Sequence, residues 1–455
     1  LTFSSNCCLF FEYPTFLNIL SSEILTVHPA PRLYGSLEVP GDKSISHRCL
    51  LFGALAEGSS QFHGISQGQD VQSTADCLRQ LGVSITVANT VTEVKGVGLH
   101  GLRAPELPLD CGNSGTTLRL LMGILAAQPF ASTLTGDASL RRRPMTRVSV
   151  PLEAFGARLE LTQNRFAPLH IHPNSQALSG GSYALTVASA QVKSALLLAG
   201  FYSREAVTLS GRIDSRDHTE KMLPDFGATL RHSASEICLP TGQSLQGCDF
   251  TVPGDPSSAA FWLAAAALIP RSEITVKNVS LNPTRIGFFE VLKQMGADIS
   301  WKITLPQAEP VGDVHLSYRP LQGVTLSETD IPYLVDEVPL IALLATQAEG
   351  VTTVRGAQEL RIKECDRLAA METNLKAMGV KGWESFEDGF RVSGAQTLSA
   401  AHWEVFHDHR IAMVGVLAGL IAQNSDAPHQ VMGAESIAVS YPGFLKDLEA
   451  LKQKS

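Results

Sequence analysis

A helix-opening pattern that occurs six times constrains this chain more than any other feature of its sequence. In each case a short polar or glycine-rich stretch leads into an apolar helical run, and a turn and a β-branched strand follow. The six stretches begin at Pro40, Cys111, Ala188, Pro253, Val335 and Phe406. A helix N-terminus carries free N–H groups and a partial positive charge. Six such termini, several bearing Lys, Arg or Asp, can build an anion site without a metal ion.

A second helix is predicted in each repeat. Five of these helices end in an apolar residue, a glycine and then Ala or Val, at Val83, Ala157, Ala228, Ala297 and Val380. This ending is typical of a glycine C-cap followed by a strand. The sixth helix, which starts near Tyr441, has no such glycine. Repeats of this length that mix helix with strand indicate pseudo-symmetric α/β domains rather than a solenoid.

The length and composition are those of a multidomain globular protein. At 455 residues the chain is too long for one hydrophobic core, so we expect two or three domains. A formal net charge of −8 argues against general binding of nucleic acid. The eight cysteines form no C-x-x-C pair, which argues against a zinc ribbon and favours the reducing cytoplasm. No segment has the length and apolarity of a transmembrane helix, so no membrane partner is expected.

The first 25 residues differ from the rest of the chain. They are apolar, and no Lys or Arg occurs before Arg32. They therefore lack the basic start of a signal peptide and the Arg-rich character of a transit peptide. We expect residues 1–25 to be a disordered or non-native leader.

Two motifs that suggest a cofactor or a metal are better explained in other ways. Gly96, Gly98 and Gly101 spell a dinucleotide-binding pattern, but prolines follow where a helix should begin, so a turn is expected. The run from His407 to His409 contains metal-ligating residue types, yet neighbouring residues on a helix point in different directions. We therefore expect neither a metal nor an organic cofactor.

Cationic residues gather at the repeated helix starts. A single one would most simply be a solvated surface charge. Their grouping in an acidic protein indicates instead a small, multiply anionic substrate or a pair of such substrates. The residues concerned are Lys43, Arg48, Arg143, Arg216, Lys363, Arg367 and Arg410.

Two carboxylates near these cations are candidates for acid–base chemistry. Asp336 stands among apolar residues at a helix start, where it can accept a proton from a hydroxyl. Helix capping explains an aspartate at this place equally well. Glu364 and Arg367 are three residues apart, which predicts that they share one face of a helix.

Eight motifs, taken in order, resemble those of the 5-enolpyruvylshikimate-3-phosphate synthase family, the 3-phosphoshikimate 1-carboxyvinyltransferases. The motifs are PGDKSISHR, CGNSGTTLR, GDASLRRRPM, SAQVKSALLLAG, SRDHTEKM, DEVPL, RIKECDRL and DHRIAM. The resemblance runs from about Leu33 to Leu448. SAQVKSA and SRDHTEKM are closer to the class II-like bacterial branch than to the enteric or plant branch.

This resemblance implies an α/β fold of two pseudo-threefold domains, each made of three βαβαββ units, with a cleft between them. By the same analogy, residues 41–253 form a continuous domain, and residues 26–40 together with 254–455 form a discontinuous one. The Pro-Gly steps at Pro40 and Pro253 would mark the hinge.

The resemblance also implies transfer of the enolpyruvyl group of phosphoenolpyruvate to the 5-hydroxyl of shikimate 3-phosphate. This reaction leads to chorismate and the aromatic amino acids. It proceeds by addition and elimination, cleaves a C–O bond, releases phosphate and needs no cofactor. A cytoplasmic monomer is expected.

The family pattern gives roles to the matching positions. Catalytic roles fall on Asp336, as acceptor of the hydroxyl proton, and on Glu364 and Lys43 in proton transfer at carbon. Contacts with shikimate 3-phosphate fall on Lys43, Ser44, Arg48, Ser189, Ala190, Gln191, Arg216, Asp336 and Lys363. Contacts with phosphoenolpyruvate fall on Lys43, Asn113, Gly115, Arg143, Gln191, Arg367 and Arg410. No metal ligand is implied.

The chain departs from the family pattern at two positions. Val439 stands where the enteric branch has a lysine, so that one cationic contact is missing or replaced. Cys365 stands where Ser or Thr is usual.

Two other functions remain open. The sister transferase that acts on UDP-N-acetylglucosamine shares the fold but uses a loop cysteine as its acid, and the GDASLRRRPM segment has no cysteine. The chain could also be an inactive anion-binding scaffold. The presence of Lys43, Asp336, Glu364 and Arg410 argues against that function.

Overall fold

The structure, a computed structural model, describes residues 24–423 and 427–453. Its α-helices are α1 (Lys43–Leu55), α2 (Gln69–Gln80), α3 (Gly115–Leu125), α4 (Thr146–Ala154), α5 (Ala190–Gly200), α6 (His218–Met222), α7 (Pro256–Leu268), α8 (Gly287–Gln294), α9 (Val338–Gln347), α10 (Arg367–Ala377), α11 (His409–Ile421) and α12 (Phe444–Gln453).

The strands in the first half of the chain are β1 (Ile24–Val27), β2 (Tyr34–Glu38), β3 (Ala56–Glu57), β4 (Ser59–His63), β5 (Ser84–Ala88), β6 (Val91–Lys95), β7 (Leu109–Asp110), β8 (Ser132–Thr135), β9 (Leu159–Thr162), β10 (Phe166–Ile171), β11 (Gly181–Leu185), β12 (Val207–Gly211), β13 (Arg231–His232) and β14 (Glu236–Leu239). Those that follow are β15 (Leu245–Gln246), β16 (Asp249–Thr251), β17 (Glu273–Ser280), β18 (Asp298–Leu305), β19 (Val311–Ser317), β20 (Thr325–Leu326), β21 (Gly350–Val354), β22 (Glu384–Phe386), β23 (Gly389–Gly394), β24 (His402–Glu404) and β25 (His429–Met432).

All six helix starts predicted from the sequence are present, as α1, α3, α5, α7, α9 and α11. Five of these helices are capped by a side chain that accepts a hydrogen bond from the first turn, as expected for Ser and Asp. The capping residues are Asp42, Ser114, Ser189, Asp255 and Asp408. The start of α9 differs, because Glu337 precedes it without a side-chain cap.

The predicted glycine endings of the second helices are also confirmed. Gly82, Gly156, Gly227, Gly296 and Gly379 all have positive φ, between 81° and 93°. Only glycine adopts this backbone region at little cost, which is why the turn after each helix selects it. The glycine-rich segment from Gly96 to Gly101 follows β6 as a turn, as expected, and not as a helix.

Each repeat folds into one βαβαββ-type unit. In the second repeat, for example, the sheet order is β7-β8-β10-β9: β7 and β8 are parallel across α3, and β9 and β10 form an antiparallel hairpin after α4. The sixth unit uses β1 as its third strand, antiparallel to β25. Ile24 and Leu25, which the sequence analysis assigned to the leader, lie in β1, and residues 1–23 lie outside the described residues.

The chain crosses between two lobes at two matching segments. β2 precedes the first crossing but pairs with β17, whereas β16 precedes the second crossing and pairs with β4. At the crossings Gly41 pairs with Gly254, the Asp42 N–H donates to the Pro253 carbonyl at 2.7 Å, and the Asp255 N–H donates to the Pro40 carbonyl at 2.9 Å. The two PGD sequences thus form a short antiparallel ladder.

Each lobe has its own hydrophobic core. The core of the first lobe draws on residues from Ile45 to Val252, and that of the second lobe on Val27–Val39 and on residues from Ala259 to Leu451. Every residue of α7 is buried, as expected for a helix that is apolar on all sides. α7, α9 and α11 contact one another inside the second lobe. Their N-termini lie close together, since Glu337 contacts both Ser257 and Arg410.

None of the helices among the described residues is long and apolar enough to cross a membrane.

Candidate active site

Asp336 lies in a 3₁₀ turn directly before α9, where three arginines surround its carboxylate. Arg216 of the first lobe donates to Oδ2 at 2.7 Å. From the second lobe, Arg367 lies 3.3 Å from Oδ1 and Arg410 lies 3.7 Å from Oδ2. Cations of both lobes therefore meet at Asp336. The alternative prediction that this aspartate caps a helix is wrong, because Glu337 precedes α9 and no side chain caps it.

The surrounding charges set the acidity of Asp336. Burial alone would raise the pKa of this carboxyl. The positive charges of Arg410, Arg216, Lys363 and Arg367 outweigh burial and hold the pKa well below its usual value. Asp336 is therefore ionised at neutral pH.

Glu364 supplies a second carboxylate that contacts cations of both lobes. Its Oε2 accepts a hydrogen bond from Arg367 at 2.7 Å, and its Oε1 lies 3.5 Å from Arg143 of the first lobe. Burial acts to raise its pKa, but these two arginines hold it well below the usual value. The predicted shared helix face is wrong, because α10 begins at Arg367 and Glu364 lies in the loop before it. The ion pair forms across the helix start instead.

Arg367 joins the starts of three helices in the second lobe. It is 1% exposed and contacts Asp336, Glu364 and Asp408 at once. Asp408 also caps α11, so its carboxylate is engaged by Arg367 and by the N–H of Arg410. The fork of donors on a guanidinium suits this arrangement, whereas an ammonium could not reach the same partners.

Arg143 and Arg410 face the site from opposite lobes. Arg143 donates to Asn113 Oδ1 at 2.6 Å and to the Ser139 hydroxyl at 3.1 Å. Arg410 lies 3.5 Å from the Asp336 carbonyl oxygen. Both arginines are 8% exposed, so their charges act in a partly dehydrated setting.

Lys43 is the first residue of α1 and lies on the first-lobe side of the cleft. Its Nζ is 2.7 Å from Asp70 Oδ2. Burial acts to raise the pKa of Asp70, but the charge and hydrogen bond of Lys43 lower it below the usual value. Lys43 and Arg410 line one narrow cavity between the lobes, so the first and last predicted cations share a space.

Three of the residues predicted to contact shikimate 3-phosphate lie at the start of α5. Ser189 caps the helix, Ala190 is its first residue, and Gln191 faces α3. The side chain of Gln191 accepts a hydrogen bond from Arg119 at 2.9 Å and donates one to Thr116 at 3.0 Å. The start of α5 is thereby tied to the start of α3, on which Gly115 lies.

Arg48, a predicted contact of shikimate 3-phosphate, forms its hydrogen bonds with neutral groups of the first lobe. It is 3% exposed, and its guanidinium donates to the hydroxyls of Thr219 and Ser194 and to the Ser44 carbonyl. It therefore braces α1 against α5 and α6. Lys363 is 3.5 Å from Glu359 and contributes positive charge at Asp336.

Sequence reasoning missed several charged residues of the site. Asp70 is the only acidic residue in the first turn of α2 and bonds Lys43. Arg119 lies inside the quoted motif CGNSGTTLR, and burial together with neighbouring arginines lowers its pKa to about 9. Arg147 crosses the cleft to Glu359 at 3.1 Å. Helical spacing from known site positions could have suggested Arg119, which is four residues after Gly115, but no local signal marks Asp70 or Arg147.

The described part of the chain contains no group of three or more His, Cys, Asp or Glu side chains suited to a metal ion. In the run from His407 to His409, which contains metal-ligating residue types, Asp408 accepts hydrogen bonds from Arg367 and from backbone N–H groups of α11. The positive charges that the structure shows in contact with Asp336 belong to arginine side chains.

Comparisons with known proteins agree with this architecture. The family model described as EPSP synthase (3-phosphoshikimate 1-carboxyvinyltransferase) matches residues 27–448. A 3-phosphoshikimate 1-carboxyvinyltransferase of Chloroflexus aurantiacus is 47% identical over 441 residues, which cover 94% of this chain and 99% of the relative. The enzyme of that name from Bacillus subtilis is 43% identical over 426 residues, covering 93% and 98%.

The solved structure of the EPSP synthase of Acinetobacter baumannii matches with a TM-score of 0.82 and 39% identity, covering 94% of this chain and 98% of the other. The predicted fold class, two domains of the enolpyruvyl transferase type, is thereby confirmed. With its six repeats, its cleft of paired arginines and carboxylates, and a match over nearly its whole length, the chain belongs to the EPSP synthase family.

Proposed function

We propose that this chain transfers the enolpyruvyl group of phosphoenolpyruvate to the 5-hydroxyl of shikimate 3-phosphate and releases phosphate. Relatives that carry the name of this activity match it along nearly their full length. The observation that carries the proposal is the place of Asp336, an ionised carboxylate among arginines of both lobes. The product would continue to chorismate and the aromatic amino acids.

In the addition step, Asp336 takes the proton of the 5-hydroxyl, and the hydroxyl oxygen attacks C2 of phosphoenolpyruvate. The arginines around Asp336 make it a weak base on their own. Two anionic substrates placed among those arginines would cancel much of the positive field and raise the pKa of Asp336 toward its usual range. Binding of the substrates therefore makes the base stronger at the point where it is needed.

The C3 methylene of phosphoenolpyruvate gains a proton in the same step, giving a tetrahedral intermediate. We assign the donation to the ammonium group of Lys43, a residue that lines the cavity between the lobes and whose Nζ lies 2.7 Å from Asp70. In the elimination step a proton leaves the C3 methyl group, the C–O bond to phosphate breaks, and the enolpyruvyl ether forms. Glu364 is suited to take that proton, because its arginine partners keep it ionised.

The cations act through fixed positive charge. Arg143, Arg367 and Arg410 hold the carboxylate and phosphate of phosphoenolpyruvate, and Arg216 and Lys363 lie on the side of shikimate 3-phosphate. Their positions are set by hydrogen bonds within the protein before any charge develops. Such preorganised groups stabilise a transition state at little cost in reorganisation.

We also propose that residues 41–253, and residues 26–40 with 254–455, are the two domains that close on the substrates. Each lobe has a core of its own, and ion pairs such as Arg147–Glu359 join the lobes across the cleft. A monomer is sufficient, because one chain supplies both sides of the site. The six described cysteines are unpaired, which fits the cytoplasm.

The test is release of inorganic phosphate when the purified protein is mixed with phosphoenolpyruvate and one acceptor. Phosphate release with shikimate 3-phosphate as acceptor, and none with UDP-N-acetylglucosamine, supports the proposal. Turnover with UDP-N-acetylglucosamine would select the sister transferase instead, and no turnover with either acceptor would leave an anion-binding scaffold.

A further inference from the structure

Arg285 is buried between the two segments at which the chain crosses from lobe to lobe, in the loop that precedes α8. Its Nη1 lies 2.6 Å from Asp42 Oδ2, and its Nη2 lies 3.0 Å from Asp255 Oδ1. The two aspartates hold equivalent places in the sequences PGDKS and PGDPS, and they cap α1 and α7. One guanidinium therefore bridges the capping carboxylates of the first helix of each lobe.

This bridge reaches the backbone of Lys43 from two sides. Asp42 directly precedes Lys43, and its other oxygen accepts the N–H of Ile45 at 2.9 Å. Asp255 Oδ2 accepts the N–H of Lys43 itself at 3.1 Å. The position of Lys43 relative to the second lobe thus depends on both carboxylates that Arg285 holds.

The same guanidinium reaches the turn that carries Asp336. Its Nη2 donates to the Ser257 hydroxyl at 3.1 Å, and that hydroxyl donates to the carboxylate of Glu337. Glu337 is the neighbour of Asp336 and lies 3.6 Å from Arg410. Two hydrogen bonds therefore separate Arg285 from the turn in which the proposed base lies.

A third anchor comes from the segment of the first lobe that carries Arg216. The Nη1 of Arg285 lies 3.2 Å from His218 Nε2, and His218 Nδ1 lies 2.6 Å from Glu309 Oε1. Because an arginine N–H can only donate, Nε2 accepts and Nδ1–H donates to Glu309. His218 is two residues from Arg216, which bonds Asp336.

We propose that Arg285 is a positioning residue for the transfer reaction. It fixes Lys43, the Asp336 turn and the Arg216 segment relative to one another without touching either substrate. The role requires the planar fork of arginine, because the point charge of lysine cannot bond two carboxylates and a hydroxyl in the same geometry. The inference rests on the proposed function. Misalignment of reacting groups lowers the rate of the chemical step more than it lowers binding.

The test compares Arg285→Lys with the parent in the full chain, using phosphate release for kcat and KM and calorimetry for binding of shikimate 3-phosphate alone. We expect kcat to fall by about tenfold or more. The dissociation constant of shikimate 3-phosphate should change by less than about threefold. Leu292→Ala is the matched control. Leu292 is fully buried on the adjacent helix α8, so its substitution by alanine removes only apolar packing.

Leu292→Ala should lower the melting temperature yet keep the parent kcat at a temperature where the protein is folded. Should Arg285→Lys fail to fold, Ser257→Ala tests the same connection, because it removes the hydroxyl between Arg285 and Glu337, and kcat should again fall. The proposal is overturned if the arginine variant, or its substitute, keeps the parent kcat. A parent protein without turnover would instead refute the proposed function, and this inference with it.

Discussion

Asp336 and Glu364 are both mostly buried carboxylates, with side chains 14% exposed, and they stay ionised because arginines of two lobes surround them. Neither lobe supplies this environment alone: Arg216 and Arg143 come from the first lobe, and Arg367 comes from the second. Removing one member of such a group leaves an uncompensated buried charge, which is costly. A substitution of one of these residues therefore needs a control substitution of the same kind outside the site.

Asp336→Asn should keep the binding of shikimate 3-phosphate within a few-fold and cut turnover by on the order of 10²-fold or more, as for the loss of a general base. Initial rates of phosphate release and calorimetric titration measure the two effects. Asp388→Asn is the control, since Asp388 also pairs with an arginine, Arg355, but lies on a hairpin outside the site. Turnover close to that of the parent would remove Asp336 from its assigned role.

Arg143→Ala should weaken the binding of phosphoenolpyruvate by about 2–5 kcal/mol, as for truncation of one partner of a buried charged pair. The neighbouring Arg142 is exposed, so Arg142→Ala should leave the affinity unchanged. The KM for phosphoenolpyruvate and the affinity for shikimate 3-phosphate give the comparison. A change in the affinity for shikimate 3-phosphate alone would show that Arg143 serves the other substrate.

At the scale of helices and strands, local rules explain why so much of the repeat could be predicted. A capping side chain and a terminal glycine act within a few residues, so the helix start after Pro253 and the helix ending at Gly227 could be predicted from the sequence. The loop position of Glu364 could not, because three-residue spacing suggests a helix whether or not the backbone forms one. Glu364 nevertheless accepts a hydrogen bond from Arg367, a contact that forms across the helix start.

At Gly156 the free-energy cost of a positive φ at a helix ending can be measured separately from steric clashes. It has φ of 92°, and a Cβ added there would meet no atom within 4 Å. Gly156→Ala should therefore lower the free energy of unfolding by about 1–2 kcal/mol through backbone strain alone. Gly156→Asn should lose less, since asparagine tolerates positive φ better. Urea unfolding measures both, and an alanine variant as stable as the parent would contradict this account.

At the scale of the whole molecule, the connections between distant segments could not be predicted. Arg285 and Asp42 are 243 residues apart in the chain, and no short-range pattern links them. Arg48, which stays a predicted substrate contact, also donates to hydroxyls of α5 and α6. Only the packing of three helices determines that pairing. Sequence motifs predicted most of the charged residues that the structure brings together between the lobes, and the roles that the family resemblance gives them stay predictions.

Three buried histidines should make the stability of the whole chain depend on pH. Burial lowers the pKa of His47 to about 3 and that of His409 and His429 to about 4, from an ordinary value of 6.5. Between about pH 6.5 and 4 the unfolded chain therefore binds more protons than the folded chain. The free energy of unfolding should fall as the pH falls through this window, by about 1.4 kcal/mol per pH unit for each histidine.

Urea midpoints at neutral pH and one to two units lower measure this loss. His429→Gln should flatten the dependence, whereas His172→Gln should not, since His172 lies on the surface. A midpoint that stays constant through the window would refute the explanation. Below this window the carboxylates Asp336 and Glu364 act in the same direction, because their stabilisation is present above their unfolded pKa and is lost as the pH falls through the folded value.

β2 and β16 each pair with a strand of the lobe on the other side of a crossing, and this arrangement affects the order in which the sheets can form during synthesis. β2 leaves the ribosome before the first lobe, but its partner β17 is made only after the whole of that lobe. During that interval the β2 segment lacks the strand with which it pairs in the folded protein, and an unpaired segment of this kind is open to pairing with a wrong partner. If the first lobe folds rapidly, β2 should pair with β17 sooner, because the ladder between Gly41 and Gly254 brings the chain that leads to β17 back to the end of β2.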